Sequence, residues 1–253
     1  ASGGTTGRPK GILWTNQLFE TMTAAWLAHL PPKKPPVHLC AAPMTHAAGV
    51  VALSMMAEGT TNIIMNGVQL PKLMENIEKH GVTTMFLPPT AIYVMLAHPD
   101  VRNYDYSSLE YFVYAAAPMS VDKLKEAIDV FGPVMAQSYG QAEAPMICTY
   151  MSPETHIEAL ETNKAHRLAS CGQPALLTPV EIMDDDENFM PPGERGEIVV
   201  RGSLVMAGYF KNKEATDEVS TSNGWHRTGD IGLKDEDGFI YIVDRKKDMI
   251  ISG

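Results

Sequence analysis

The run VTTMFLPPTAIYVMLA, Val82 to Ala97, decides the fold class. A short apolar stretch, VTTMFL, breaks at a Pro-Pro pair, and Thr90 to Ala97 then carries apolar side chains at helical spacing, so a strand turns at once into a helix. The same unit recurs on both sides. VHLCAA from Val37 precedes a helical stretch from Ala47 to Glu58, and TNIIM from Thr61 precedes Pro71 to His80. YFVYAA from Tyr111 precedes Ser120 to Phe131, and VMAQ closes the series at Gln137. Gly59, Gly81 and Gly132 read as glycines just past helix ends, and Pro71 suits a first helical turn. This alternation predicts an α/β fold built on a parallel sheet.

The segments that follow the strands are the informative ones. Pro43-Met44-Thr45-His46, Pro88-Pro89-Thr90, Ala116-Ala117-Pro118-Met119-Ser120 and Ser138-Tyr139-Gly140-Gln141-Ala142-Glu143 each follow a strand directly. Open parallel sheets bind ligands outside the carboxyl ends of their strands, so these four segments are expected to line one edge.

Beyond about Ala165 helical periodicity fades. PVEIM, GEIVVRG, VMAGYF, WHRTGDIG and FIYIVD alternate with turn clusters, which predicts a small, mostly antiparallel β-barrel or sheet after the α/β part. The expected division is residues 1–165 for the α/β subdomain, 166–244 for the β-barrel-like subdomain and 245–253 for a hinge and the start of a further, carboxyl-terminal domain. Asp184-Asp185-Asp186-Glu187-Asn188 imitates the start of a calcium loop, but Phe189 stands where the turn glycine is required and Arg195 where the glutamate should be. A solvated hairpin turn is the better reading.

Upstream lies ASGGTTGRPKG, Ala1 to Gly11. Its glycines permit close backbone approach, Thr5 and Thr6 offer hydroxyls, and Arg8 and Lys10 add charge, which is the chemistry of a phosphate cradle. Glycine-rich segments also serve as linkers. The spacing fits neither GxxxxGK[ST] nor GxGxxG, so a Walker-type kinase and a Rossmann dehydrogenase are disfavoured. Thr15 to His29 reads as a helix capped by Thr15, following the loop.

With 253 residues, 45% of them hydrophobic, the chain can bury a full core. A net charge of −10 argues against a nucleic-acid partner. Cys40, Cys148 and Cys171 are odd in number and form no CxxC pair, so a disulfide framework or zinc site is not expected and a reducing cytoplasm is. No apolar run approaches the roughly 18 residues of a transmembrane segment.

SGGTTGRPKG, PMTHAAG, SYGQAEAP, GEIVVRG and TGDIGLKDEDGFIYIVDRKKDMI, in that order, resemble the adenylate-forming superfamily, which includes acyl-CoA synthetases (AMP-dependent synthetases and ligases). The resemblance implies that ATP and a carboxylic acid give acyl-AMP and pyrophosphate, and that a thiol, usually of coenzyme A, then takes the acyl group. Both halves are problems of positioning and charge stabilisation.

Position by position, the resemblance implies that Ser2, Gly3, Gly4, Thr5, Thr6, Gly7 and Lys10 hold the β- and γ-phosphates. Gly3 replaces a serine usual in the family. Tyr139 would stack on adenine, whose other face meets Ala116-Ala117-Pro118, and Glu143 would hold Mg2+. Ala142 stands where a phosphate-contacting threonine is usual. Asp230 and Arg245 would hold the ribose, and Lys247 matches the hinge. His46 falls between the carboxylate site and the thiol tunnel, and with Lys10 and Glu143 completes the catalytic set. Met44, His46, Pro88, Thr90, Gly140, Gln141 and Pro145 would line a largely apolar acyl pocket, which favours a fatty or aromatic acid. Taken singly, Tyr139 reads equally as a core aromatic, Asp230 as a turn residue, Arg245 as a surface charge and His46 as a structural histidine; the ordered motifs favour the site.

Set against this resemblance, the chain is expected to lack the family's amino-terminal subdomain and its carboxyl-terminal lid with the adenylating lysine, and by itself to be inactive. A non-catalytic nucleotide-binding remnant, or a ligase that passes acyl-AMP to a carrier-protein thiol, are the alternatives.

Overall fold

The structure, a computed structural model, describes residues 9–245. In chain order the first elements are β1 (Ile12–Leu13), α1 (Asn16–His29), β2 (Val37–Cys40), α2 (Ala47–Met55), β3 (Thr61–Ile64), α3 (Leu70–His80), β4 (Thr84–Leu87), α4 (Pro89–Leu96), β5 (Tyr111–Tyr114) and α5 (Val121–Phe131). β6 (Met135–Gln141), β7 (Ala144–Met151), α6 (Pro153–Glu161), β8 (Gln173–Pro174), β9 (Val180–Met183), β10 (Gly196–Val200), β11 (Gly208–Tyr209), α7 (Lys213–Glu218), β12 (His226–Lys234) and β13 (Ile240–Arg245) follow.

Two compact units result. One comprises Trp26–Tyr139 and Tyr150–Ala169; the other comprises the described residues before Trp26, Gly140–Thr149 and those from Ser170 on. The change of texture near residue 165 thus falls close to one boundary, while the hairpin after Tyr139 and the described residues before Trp26 group with the later β-rich part.

In the Trp26-containing unit the parallel strands stand in the order β3-β2-β4-β5-β6. β4 and β5 are buried at every position, as strands covered on both faces must be, and their apolar runs lack alternation for that reason. α3 turns Leu73, Met74 and Ile77 inward and α5 turns Leu124, Ala127 and Phe131 inward. These side chains join Met85, Leu87, Phe112 and Met135 in one core. Gly81 ends α3 in the left-handed region at φ 58°, and Pro71 lies in its first turn.

In the other unit, β9, β10, β12 and β13 form an antiparallel sheet in the order β13-β12-β10-β9. Antiparallel pairing was expected here; closure into a barrel is not part of this order, which leaves β13 and β9 at the two edges. VMAGYF shortens to the two residues of β11, and these pair with β1 rather than with the four-stranded sheet, Ile12 opposite Tyr209 and Leu13 opposite Gly208. The acidic pseudo-calcium segment is a hairpin turn in which Asn188 N–H donates to Asp184 Oδ1 at 2.8 Å. Among the described residues no helix is long and apolar enough to cross a membrane, and Cys40, Cys148 and Cys171 are free and buried.

Candidate functional site

β2, β4, β5 and β6 run in parallel register, so the segments after them leave from the same edge of the sheet. Met44, His46, Thr90, Ala116, Ala117 and Pro118 are exposed there, and Pro88 and Tyr139 are half-buried. The PMTHAAG turn is held by packing: a Cβ on Gly49 would lie 1.9 Å from the Met44 carbonyl oxygen, so only glycine lets α2 press against the loop. His46 occupies the cap position of α2 without capping it, and its Nδ1 lies 2.9 Å from Thr45 Oγ1. Ala116 has φ 73°, a left-handed conformation that a residue with a Cβ keeps only when its surroundings enforce it. At the far end of that loop the Ser120 N–H donates to the Tyr93 hydroxyl at 2.7 Å, and Ser120 Oγ accepts from Lys123 N–H as the cap of α5.

Gly140, Gln141, Ala142, Glu143 and Pro145 lie in the other unit, around the turn from β6 to β7. A Cβ on Gly140 would stand 2.6 Å from Met146 N and 2.8 Å from Ala144 O. The glycine of SYGQAE is therefore a steric requirement of the turn. Glu143 is buried; the Tyr209 hydroxyl donates to its Oε1 at 2.7 Å, and its backbone carbonyl accepts from Met206 N–H at 2.7 Å. The Lys10 ammonium lies 4.6 Å from the centre of the Tyr209 ring, and Trp14 Nε1–H donates to the Ala142 carbonyl at 2.8 Å. Burial, then the bond to Glu143 and its charge, push the Tyr209 phenol above its ordinary range, so it remains a donor.

Gln141 Nε2 is 2.8 Å from His226 Nε2. The amide nitrogen can only donate, so His226 Nε2 accepts and the ring proton sits on Nδ1. Burial holds His226 below its ordinary value, against the pull of the Glu143 and Glu197 charges and a bond to the Val219 backbone, which agrees with a neutral ring.

The TGD turn of β12 is braced from β10. Glu197, 5% exposed, accepts from Gly229 N–H at 3.0 Å and from Arg227 Nη1 at 3.1 Å. Thr228 Oγ1 donates to the Ile198 carbonyl at 2.8 Å and accepts from Asp230 N–H at 3.1 Å. Asp230 stands directly opposite Arg245 across the β12–β13 ladder, and Arg245 Nε lies 3.6 Å from Asp230 Oδ1. Two residues read separately from one motif are thus cross-strand neighbours.

Ser2, Gly3, Gly4, Thr5, Thr6, Gly7 and Lys247 lie outside the described residues. Tyr209, His226 and Glu197 were not singled out by sequence reasoning: Tyr209 and His226 sit inside stretches read only as strands, and Glu197 inside GEIVVRG, a motif to which no residue role was attached.

Among the described residues no cluster of three or more His, Cys, Asp or Glu side chains is placed to hold a metal. Glu143 alone fits Mg2+ nonetheless, because that ion retains waters, binds substrate phosphates and needs one or two carboxylates. Its Oε1 is fixed by Tyr209, and Oε2 remains for a second interaction.

A parallel sheet with an exposed carboxyl-end edge, a hairpin bearing a positioned carboxylate and an Asp–Arg pair on adjacent strands define the architecture of an adenylate-forming domain. The AMP-binding enzyme family matches residues 2–210, and the chain belongs to it. It is 39% identical over 252 residues to a medium/long-chain-fatty-acid–CoA ligase, FadD8, of Mycobacterium tuberculosis, covering 100% of this chain and 43% of the relative. It is 35% identical to a feruloyl-CoA synthase of Amycolatopsis, covering 99% and 49%. Among solved structures, O-succinylbenzoate coenzyme A synthetase (MenE) of Bacillus subtilis in complex with ATP and magnesium superposes with a TM-score of 0.88 at 29% identity, over 100% of this chain and 50% of that one. The chain thus spans about half the length of these relatives or less.

Proposed function

We propose that the protein carrying this chain is an ATP-dependent ligase that converts an apolar carboxylic acid, fatty or aromatic, to acyl-AMP and then to acyl-CoA. The observation that carries the reading is the Lys10, Tyr209 and Glu143 arrangement, a cation and an oriented carboxylate brought together from two separate motifs by a tyrosine of a third stretch. In this reading Lys10 neutralises phosphate charge and Glu143 presents Oε2 to Mg2+. Glu143 would hold that ion, and the chemistry it would supply there is neutralisation of phosphate charge. Asp230 accepts from the ribose hydroxyls, and Arg245 both pairs with it and adds a donor.

At the other unit's sheet edge, Tyr139 and Ala116-Ala117-Pro118 hold adenine. Met44, His46, Pro88 and Thr90 there contact the acid, and in the unit that holds Glu143 the residues assigned to the acid are Gly140, Gln141 and Pro145. Lys247 acts as the hinge. The functional division proposed along the sequence remains residues 1–165, 166–244 and 245–253. The three free, buried cysteines fit a reducing cytoplasm. The relatives named as fatty-acid and feruloyl ligases support an apolar acid and coenzyme A as acceptor.

Pyrophosphate exchange by the full-length protein over a panel of fatty and aromatic acids, followed by thioester formation with coenzyme A, tests this reading. Acid-dependent exchange and an acyl-CoA product are expected; no exchange with any acid overturns it, and acyl-AMP without transfer to coenzyme A redirects it to a carrier-protein thiol.

A further inference from the structure

His156 lies in the first turn of α6, 1% exposed, and no motif accounts for it. Its Nδ1 is 2.7 Å from the Ser152 carbonyl, which can only accept, so Nδ1 carries a proton. Burial lowers its pKa to about 4, so the ring is neutral and Nε2 is an acceptor. The Tyr114 hydroxyl, 2.9 Å from Nε2, is then the donor, and the two rings meet edge to face at 5.8 Å. The same hydroxyl lies 3.2 Å from the Gln137 carboxamide. The Gln137 atom facing it is Oε1, an acceptor, so the one O–H is shared between His156 Nε2 and Gln137 Oε1 and both are tied to Tyr114.

The positions of these residues give the network its meaning. Tyr114 is the last residue of β5, and the exposed segment Ala116-Ala117-Pro118 begins two residues later. Gln137 lies on β6 two residues before Tyr139. The Tyr114 hydroxyl, held by His156, therefore ties the last residue of β5 to a residue of β6 two positions before Tyr139, next to both segments assigned to adenine. The left-handed Ala116 needs such enforcement, and the Tyr93–Ser120 bond supplies it only at the loop's far end.

We propose that His156 is a positioning residue for the nucleotide: acting through the Tyr114 hydroxyl, it sets the spacing between Ala116-Ala117-Pro118 and Tyr139 in which the base is gripped. This rests on the nucleotide reading given above. The test is AMP binding by calorimetry on the full-length protein and on Tyr114→Phe, which removes only the hydroxyl, with His156→Gln and His156→Ala as a second pair. Tyr114→Phe and His156→Ala are expected to weaken AMP binding about tenfold while leaving the KM for the acid unchanged, and His156→Gln, which retains polar atoms, to recover part of the loss. Unchanged AMP affinity in Tyr114→Phe, even with a lowered melting temperature, overturns the proposal, as does an equal loss for AMP and acid. Failure of the unmutated protein to bind AMP removes the underlying nucleotide reading instead, and this proposal with it.

Discussion

The Tyr209 hydroxyl donates to Glu143 Oε1 at 2.7 Å, with the Lys10 ammonium against the same ring. A carboxylate held at one oxygen has its other oxygen aimed before any ligand arrives. Tyr209→Phe keeps the ring and Lys10's contact but frees Glu143 to rotate. A roughly tenfold rise in the Mg2+ concentration for half-maximal pyrophosphate exchange is expected, with the KM for the acid unmoved, since one charge-assisted hydrogen bond is about 1.5–3 kcal/mol. Glu143→Ala is expected to lose Mg2+-dependent adenylation far more than acid binding; equal loss of both would remove the metal role.

Glu197 reaches from β10 to the backbone of Gly229 and to Arg227, both beside Asp230. Replacing it by alanine leaves Arg227 with only the 3.7 Å contact to Glu187. A loss of about 3 kcal/mol in urea unfolding is expected, together with weaker AMP binding, because the TGD turn loses its brace. Full stability in the variant would show that the pair contributes nothing net.

Glycine substitutions separate steric need from backbone conformation. Gly140→Ala drives a Cβ to 2.6 Å from Met146 N, and Gly49→Ala to 1.9 Å from Met44 O, whereas Gly59, at φ 70°, has nothing within 4 Å. Thermal melts are expected to show losses of about 1–3 kcal/mol or more at the first two and about 1 kcal/mol at Gly59.

Buried His156 gives stability a definite pH slope. Its folded value, about 4, lies below the 6.5 of an exposed histidine. As pH falls the unfolded chain therefore binds the proton first, and stability complete above pH 6.5 declines toward about pH 4, at about 1.4 kcal/mol per unit for this group. Urea unfolding at about pH 7 and about pH 5 should show a shallower decline for His156→Gln than for the unmutated chain. Parallel slopes would mean that the histidine does not titrate in this window.

Local chemistry carried most of the fold into view. Pro71 and Gly81 bracket α3, and Ser120 opens α5, because caps and turns depend on neighbours in sequence. Asp230 and Arg245 were legible as motif residues, but their pairing depends on a register shift at Ile231/Gly232 that composition does not reveal. The partners of Glu143, Gln141 and Gly229 lie 66, 85 and 32 residues away. Alternation in WHRTGDIG says only that His226 belongs to a strand. What that histidine faces is decided by tertiary packing, so the polar scaffold behind the site stayed hidden while the site's own motifs did not.

The pairing of β1 with β11 also constrains the order in which the chain can be completed during synthesis. Ile12 leaves the ribosome well before its partner Tyr209. At 5–20 residues per second that is a delay of roughly 10–40 s. Throughout it, the segment leading out of the glycine-rich loop has an unpaired edge and an apolar Leu18 without Met206, Tyr209 and Ala215 to cover it. The nascent protein thus carries β1 as an open hydrogen-bonding edge, a surface for chaperones to shield, until β11 arrives.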